Sequence, residues 1–131
     1  MQSRPKTKDI ALWAGQPLIL VAREIDDATG DPVVGSNISY ASLQINDLDS
    51  SADATPVYSE GPIEATSVWY DSLQTGHATL LGDSDGYNFK LIIDDARYTF
   101  RGGRKYRVQV ISAYGASSIV YVYNVTVGAT L

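Results

Sequence analysis

Lys105–Val127 reads KYRVQVISAYGASSIVYVYNVTV, and this stretch decides the fold. Tyr106, Val108 and Val110 alternate with Arg107 and Gln109, the period of two that marks a strand with one buried face. Ala113-Tyr114-Gly115-Ala116-Ser117 interrupts the run with small, turn-prone residues. Ile119 to Val127 then supplies residues that are almost all β-branched or aromatic, which suits a pleated, half-buried surface. The reading is a long hairpin at the end of the chain. So apolar a hairpin is not stable alone in water and needs a second layer.

Working back from the hairpin, the same pattern recurs. Tyr87, Phe89, Leu91 and Ile93 alternate with their neighbours. Ile38 to Ile45 alternates around Ala41, Leu43 and Ile45. Asp9 to Trp13 and Leu18 to Ile25 read as the first two strands. Pro56-Val57-Tyr58 and Ser67-Val68-Trp69-Tyr70 read as short edge strands, limited by Pro56, Gly61 and Pro62. A further short strand is expected at Ala78-Thr79-Leu80-Leu81. No long stretch carries helical periodicity. Seven to nine strands with turn signals between them predict an all-β sandwich. Tyr106 follows a Gly102-Gly103 corner at the head of the penultimate strand. That is where sandwich domains place a tyrosine whose hydroxyl bonds back to the preceding connection.

Composition narrows the function classes. At 131 residues the chain has the length of one domain. The absence of cysteine excludes disulfides, thiolate zinc sites and thiol nucleophiles. The formal net charge of −5 argues against a binder of phosphate backbones, so no nucleic-acid partner is expected. The longest apolar run is too short to span a bilayer, and no signal-peptide pattern follows Met1. The expectation is a protein made in the cytoplasm with no membrane partner. Residues 1–8 (MQSRPKTK) hold Arg4, Lys6 and Lys8 without an acid, and read as a flexible basic arm on an acidic body spanning 9–131.

No motif carries a chemical signature. Asp83-Ser84-Asp85-Gly86 resembles part of a calcium loop but lacks the spaced later ligands and the closing glutamate. It reads as a solvated turn. Asp26, Asp27 and Asp31 are candidates to meet Asp94 and Asp95, but read as solvated loop acids. His77 is the sole histidine and is accompanied by no G-x-S-x-G elbow. Glu24, Glu60 and Glu64 are the only glutamates, and nothing in their spacing pairs two of them in a cleft. The expectation is a non-enzymatic protein with no cofactor and no metal. Asn37-Ile38-Ser39 and Asn124-Val125-Thr126 match the glycosylation pattern but lie in or beside strands and read as chance. The aromatic residues weigh more. Nine tyrosines and two tryptophans exceed the needs of one small core, so some are expected at a surface. The candidates are Tyr58, Trp69 and Tyr70, with Arg4, Lys6 and Lys8 of the arm. They serve either a protein interface or a platform that stacks sugars.

The run GQPLILVAREID at 15–26, followed by TGDPVVG at 29–35, resembles the opening of immunoglobulin-like modules in tailed-bacteriophage virion proteins, including the amino-terminal domain of baseplate upper proteins. Gly30-Asp31-Pro32-Val33 is similar to their turn, and Val34-Gly35-Ser36-Asn37-Ile38 to the small-residue step that follows. Asp85-Gly86-Tyr87 is similar to their entry into the penultimate strands. Bacterial invasin-type repeats share the turn, and, unlike the baseplate family, the expectation here is a stand-alone module without a following trimerisation segment. The resemblance implies an immunoglobulin-like β-sandwich that stands alone in a virion. Its expected partners are other virion structural proteins, present in multiple copies on tail, baseplate or capsid surface. Host-surface glycans are the alternative partners.

Overall fold

The computed structural model describes residues 6–49, 55–74 and 86–129. Eight strands form in chain order: β1 (Lys6–Trp13), β2 (Leu18–Ala22), β3 (Ile38–Asp47), β4 (Tyr58–Ile63), β5 (Trp69–Gln74), β6 (Tyr87–Ile93), β7 (Lys105–Tyr114) and β8 (Ser117–Gly128). A five-stranded sheet runs β1-β8-β7-β3-β4 and faces a three-stranded sheet, β2-β6-β5. This is a two-sheet β-sandwich, with eight strands within the expected seven to nine.

The terminal hairpin forms as its pattern requires. Tyr114 pairs with Ser117 across a two-residue turn, and Gly115 takes a φ of 58° there. A left-handed residue at the first central position matches the twist of the strands, and glycine adopts it without a side-chain clash. Val108 then lies opposite Tyr123 and Val110 opposite Tyr121, so both strands bury the same face. Leu18 and Leu20 of β2 and Phe89, Leu91 and Ile93 of β6 close the core from the other sheet. Tyr106 is fully buried, and its hydroxyl accepts the backbone N–H of Arg101 at 3.0 Å. The expected tyrosine corner is present.

Several expected boundaries move. The first strand begins at Lys6, not Asp9, because β1 pairs parallel with β8 from Lys6 opposite Tyr121 to Trp13 opposite Gly128. Lys6 and Lys8 therefore belong to a sheet, not to a flexible arm. The second strand stops at Ala22, because the Glu24 N–H bonds to the Asn88 side chain instead of a strand partner. The edge strands lie later than expected, at Tyr58–Ile63 and Trp69–Gln74. Asp47 ends β3 with a buried side chain paired to Arg104 at 2.6 Å. The expected strand at 78–81, His77 and the acids of the calcium-like loop lie outside the described residues.

Candidate functional site

The side of the sandwich where β1 passes β2 holds two of the five buried polar side chains among the described residues, Glu24 and Asn88. β2 delivers Glu24 just past its last residue, and β6 delivers Asn88. The Asn88 amide donates to the backbone carbonyls of Glu24 (2.9 Å) and Val33 (2.7 Å), and its carbonyl accepts the Glu24 N–H at 2.8 Å. These bonds anchor the chain as it leaves the sheet, and Asn88 is fully buried in making them. The Glu24 carboxylate is buried too. Lys6 Nζ donates to both of its oxygens, at 2.9 and 3.0 Å, and the Tyr121 hydroxyl donates to Oε1 at 2.7 Å. Two strands of the larger sheet, β1 and β8, thus converge on a carboxylate carried just past the end of β2 in the smaller one. Burial, and then the charge of Glu24, push the Tyr121 phenol well above its usual range. With both oxygens engaged, the carboxylate acts as a clasp between layers.

Beside this clasp the sandwich opens. A cleft of ≈ 260 Å³ lies between the two edges, lined by Val21 and Ala22 of β2, Tyr121 and Tyr123 of β8, and Lys6 and Lys8 of β1. It lies where β1, an outer strand of the larger sheet, meets β2, an outer strand of the smaller one. Ile10 and Leu12 share the inward parity of Lys6 and Lys8 and are only partly covered. The Tyr123 phenol is raised by burial.

The residues singled out from the sequence do not form one surface. Arg4 lies outside the described residues, while Lys6 and Lys8 stand on β1. Trp69 is a core residue at 3% exposure. Its indole N–H donates to Ser112 Oγ at 3.0 Å, and its ring lies 5.1 Å from Phe89 and 6.4 Å from Tyr121. Strand parity then turns Tyr70 outward, where its ring meets the edge of Tyr87 at 5.8 Å. Tyr58 sits on the other sheet. Its hydroxyl donates to Glu60 at 2.6 Å, and Arg97 donates to the same carboxylate at 2.9 Å. Burial alone would raise the Glu60 carboxyl, but these two donors hold it below the usual range. A shared stacking platform of Tyr58, Trp69 and Tyr70 is therefore excluded. Tyr70 instead borders a separate cleft of ≈ 240 Å³ with Ser67, Lys90 and Arg97. The loop acids also separate. Leu18 opposite Ile93 and Ala22 opposite Phe89 place Asp94 and Asp26 at opposite ends of the β2–β6 pair. Asp26 accepts from the Tyr114 hydroxyl at 2.5 Å instead.

A second surface escaped the sequence reading. Ile111 lies opposite Val120, and Gln109 opposite Val122, on the outward face of the five-stranded sheet. Ile111, Val120 and Val122 form an apolar stripe there, only half-buried, with Ser42 and Gln44 beside it on β3. The signal was present in Ile119–Tyr123: five apolar residues in a row put apolar groups on both faces of a strand. Comparison of the chain with protein-family models, with curated proteins and with solved structures finds no match.

Proposed function

We propose that this chain is a non-enzymatic structural module that makes protein–protein contacts in a tailed-phage particle, on its tail, baseplate or head surface. The observation that carries the contact role is the outward stripe of Ile111, Val120 and Val122. A sheet face with an apolar centre and a polar surround has the composition of an interface. Many copies on one particle would multiply individually weak contacts. The particle type rests on the resemblance at Gly30-Asp31-Pro32-Val33. That segment forms a closed turn, with Gly30 at φ 77°, Pro32 bridged to Ile25, and Val33 buried.

Carbohydrate recognition is the second reading, favoured only by the polar cleft beside Tyr70, Lys90 and Arg97. Reconstitution of Val122→Asp with the parent particle separates the two. Incorporation should fall severely while the melting temperature stays within a few degrees, as for most surface substitutions. Full occupancy by the variant would remove the contact role from this face. Loss of glycan-array binding in Tyr70→Ala, with incorporation intact, would favour the second reading.

A further inference from the structure

Each sheet has two outer edges, and three of the four carry groups that discourage pairing with another chain. β1 presents Lys6, Lys8 and Asp9, β4 presents Glu60 and Pro62, and β5 presents Asp71. Charges and prolines at edges are the ordinary protection against unwanted strand addition. β2 has none: it reads Leu18-Ile19-Leu20-Val21-Ala22, and among the described residues it pairs only with β6. This bare edge borders the ≈ 260 Å³ cleft with its apolar walls of Val21, Ala22, Tyr121 and Tyr123. At the rim stands Lys8, exposed and without an ion pair among the described residues.

We infer that the β2 edge is a docking site for an extended segment of a partner protein, which adds as a fourth strand to the smaller sheet. Backbone hydrogen bonds to β2 supply affinity, and alternate side chains supply specificity. The inward side chains of the added strand fill the cleft and are apolar, except for one acidic residue at the rim, where Lys8 stands with inward parity on β1. Its outward side chains continue the row of Ile19 and Ile92, which face each other across β2 and β6. A carboxylate on the segment meets Lys8. The occupant is thus an extended apolar peptide segment bearing an acidic residue. This inference deepens the proposed contact role and rests on it.

The probe is a synthetic capped heptapeptide, threonine-valine-threonine-glutamate-threonine-valine-threonine, which puts its glutamate on the same face as its valines, titrated into the isotopically labelled chain and followed by NMR. Amide shifts should concentrate in Leu18–Ala22 and Lys6–Ile10, with contacts from peptide backbone to β2. Replacing the peptide's glutamate by lysine should weaken binding about two- to fivefold, the scale of one exposed ion pair. Lys8→Glu should reverse that preference. Val21→Glu guards the edge and faces Lys90 across the sheet, so it should fold and lose peptide binding. Shifts spread equally over β1, β4 and β5, or no binding at millimolar peptide, would overturn the inference. A concentration-dependent dimer that Val21→Glu dissolves would also overturn it, by making a second copy the occupant. If Val122→Asp abolishes incorporation while the peptide fails to bind, the edge site falls and the contact role stands. If the peptide binds at β2 while Val122→Asp incorporates fully, the edge site stands and the outer-face contact falls.

Discussion

Tyr106 shows how far one residue can be read in advance. A tyrosine at the head of a strand, straight after Gly102-Gly103, is placed to fold back over the connection it follows. Its hydroxyl accepts from Arg101 N–H, and its ring packs against Phe100 at 5.0 Å and Tyr98 at 5.8 Å. Tyr106→Phe should lower stability by about 1–2 kcal/mol, because the Arg101 N–H loses its acceptor. An unchanged denaturant midpoint would refute that role. Tyr98 beside it is pushed up to about 12, by burial first and then by its hydrogen bond with Tyr106. Tyr121 and Tyr123 are raised as well, chiefly by burial. A phenol whose folded pKa is raised holds its proton more tightly when folded. Its contribution is complete below the unfolded value of about 10 and is lost as pH rises above it. Stability should therefore fall from about pH 10 upward, with these phenols ionising only as the chain unfolds. Ultraviolet titration alongside circular dichroism checks this, and ionisation of all nine tyrosines before unfolding would contradict it. On the acid side the Tyr114 hydroxyl, with the Ala28 N–H, holds the Asp26 carboxyl below its usual range. A lowered carboxyl stabilises above its unfolded value of about 3.9 and ceases to do so as pH falls through the folded value. Tyr114→Phe should flatten the stability profile in that window.

At the scale of elements, β1 behaves unlike the arm its composition suggests. Its basic residues look like a solvated tail because charge is a local signal, while parallel pairing to β8 joins positions more than a hundred residues apart. Lys6 also neutralises a buried carboxylate that is 4% exposed. Lys6→Met should destabilise by about 1–3 kcal/mol, the cost of leaving a charged acceptor short of a donor. The double variant Lys6→Met with Glu24→Gln should recover part of that loss, and denaturant unfolding of both variants checks it. Deletion of residues 1–8 should lower the melting temperature by several degrees, since it removes three residues of β1 together with this pair. An unchanged melting temperature would return Lys6 and Lys8 to the status of a frayed end. Packing sets a second limit. A Cβ on Gly35 would sit 2.8 Å from the Trp69 carbonyl oxygen, so Gly35→Ala must displace the backbone of β5. Its cost should be about 1–3 kcal/mol by denaturant unfolding, the range for overpacking a filled site.

For the whole molecule, the unequal sheets matter most. On the inward side of β1, Ile10 and Leu12 are only partly covered, and the cleft lies where that strand meets the bare β2 edge. The acidic balance acts at the same scale. With ten basic residues against fifteen acidic ones, the chain should not retard duplex DNA in a gel at physiological salt. Retention that weakens steeply with added salt would show a basic surface that the composition conceals.

The sequence by itself determined the all-β class, the terminal hairpin, its turn and the tyrosine corner. These depend on period-two burial and on glycine at left-handed positions, both written in neighbouring residues. Tertiary structure alone decided which aromatics face inward. Trp69 and Tyr70 are adjacent, and only the position of the opposite sheet makes one core and the other surface. It also decided the clasp, because Lys6, Glu24 and Tyr121 are separated by 18 and 97 positions and meet only when two sheets pack. A carboxylate's burial is a property of what covers it, and what covers Glu24 comes from both ends of the chain.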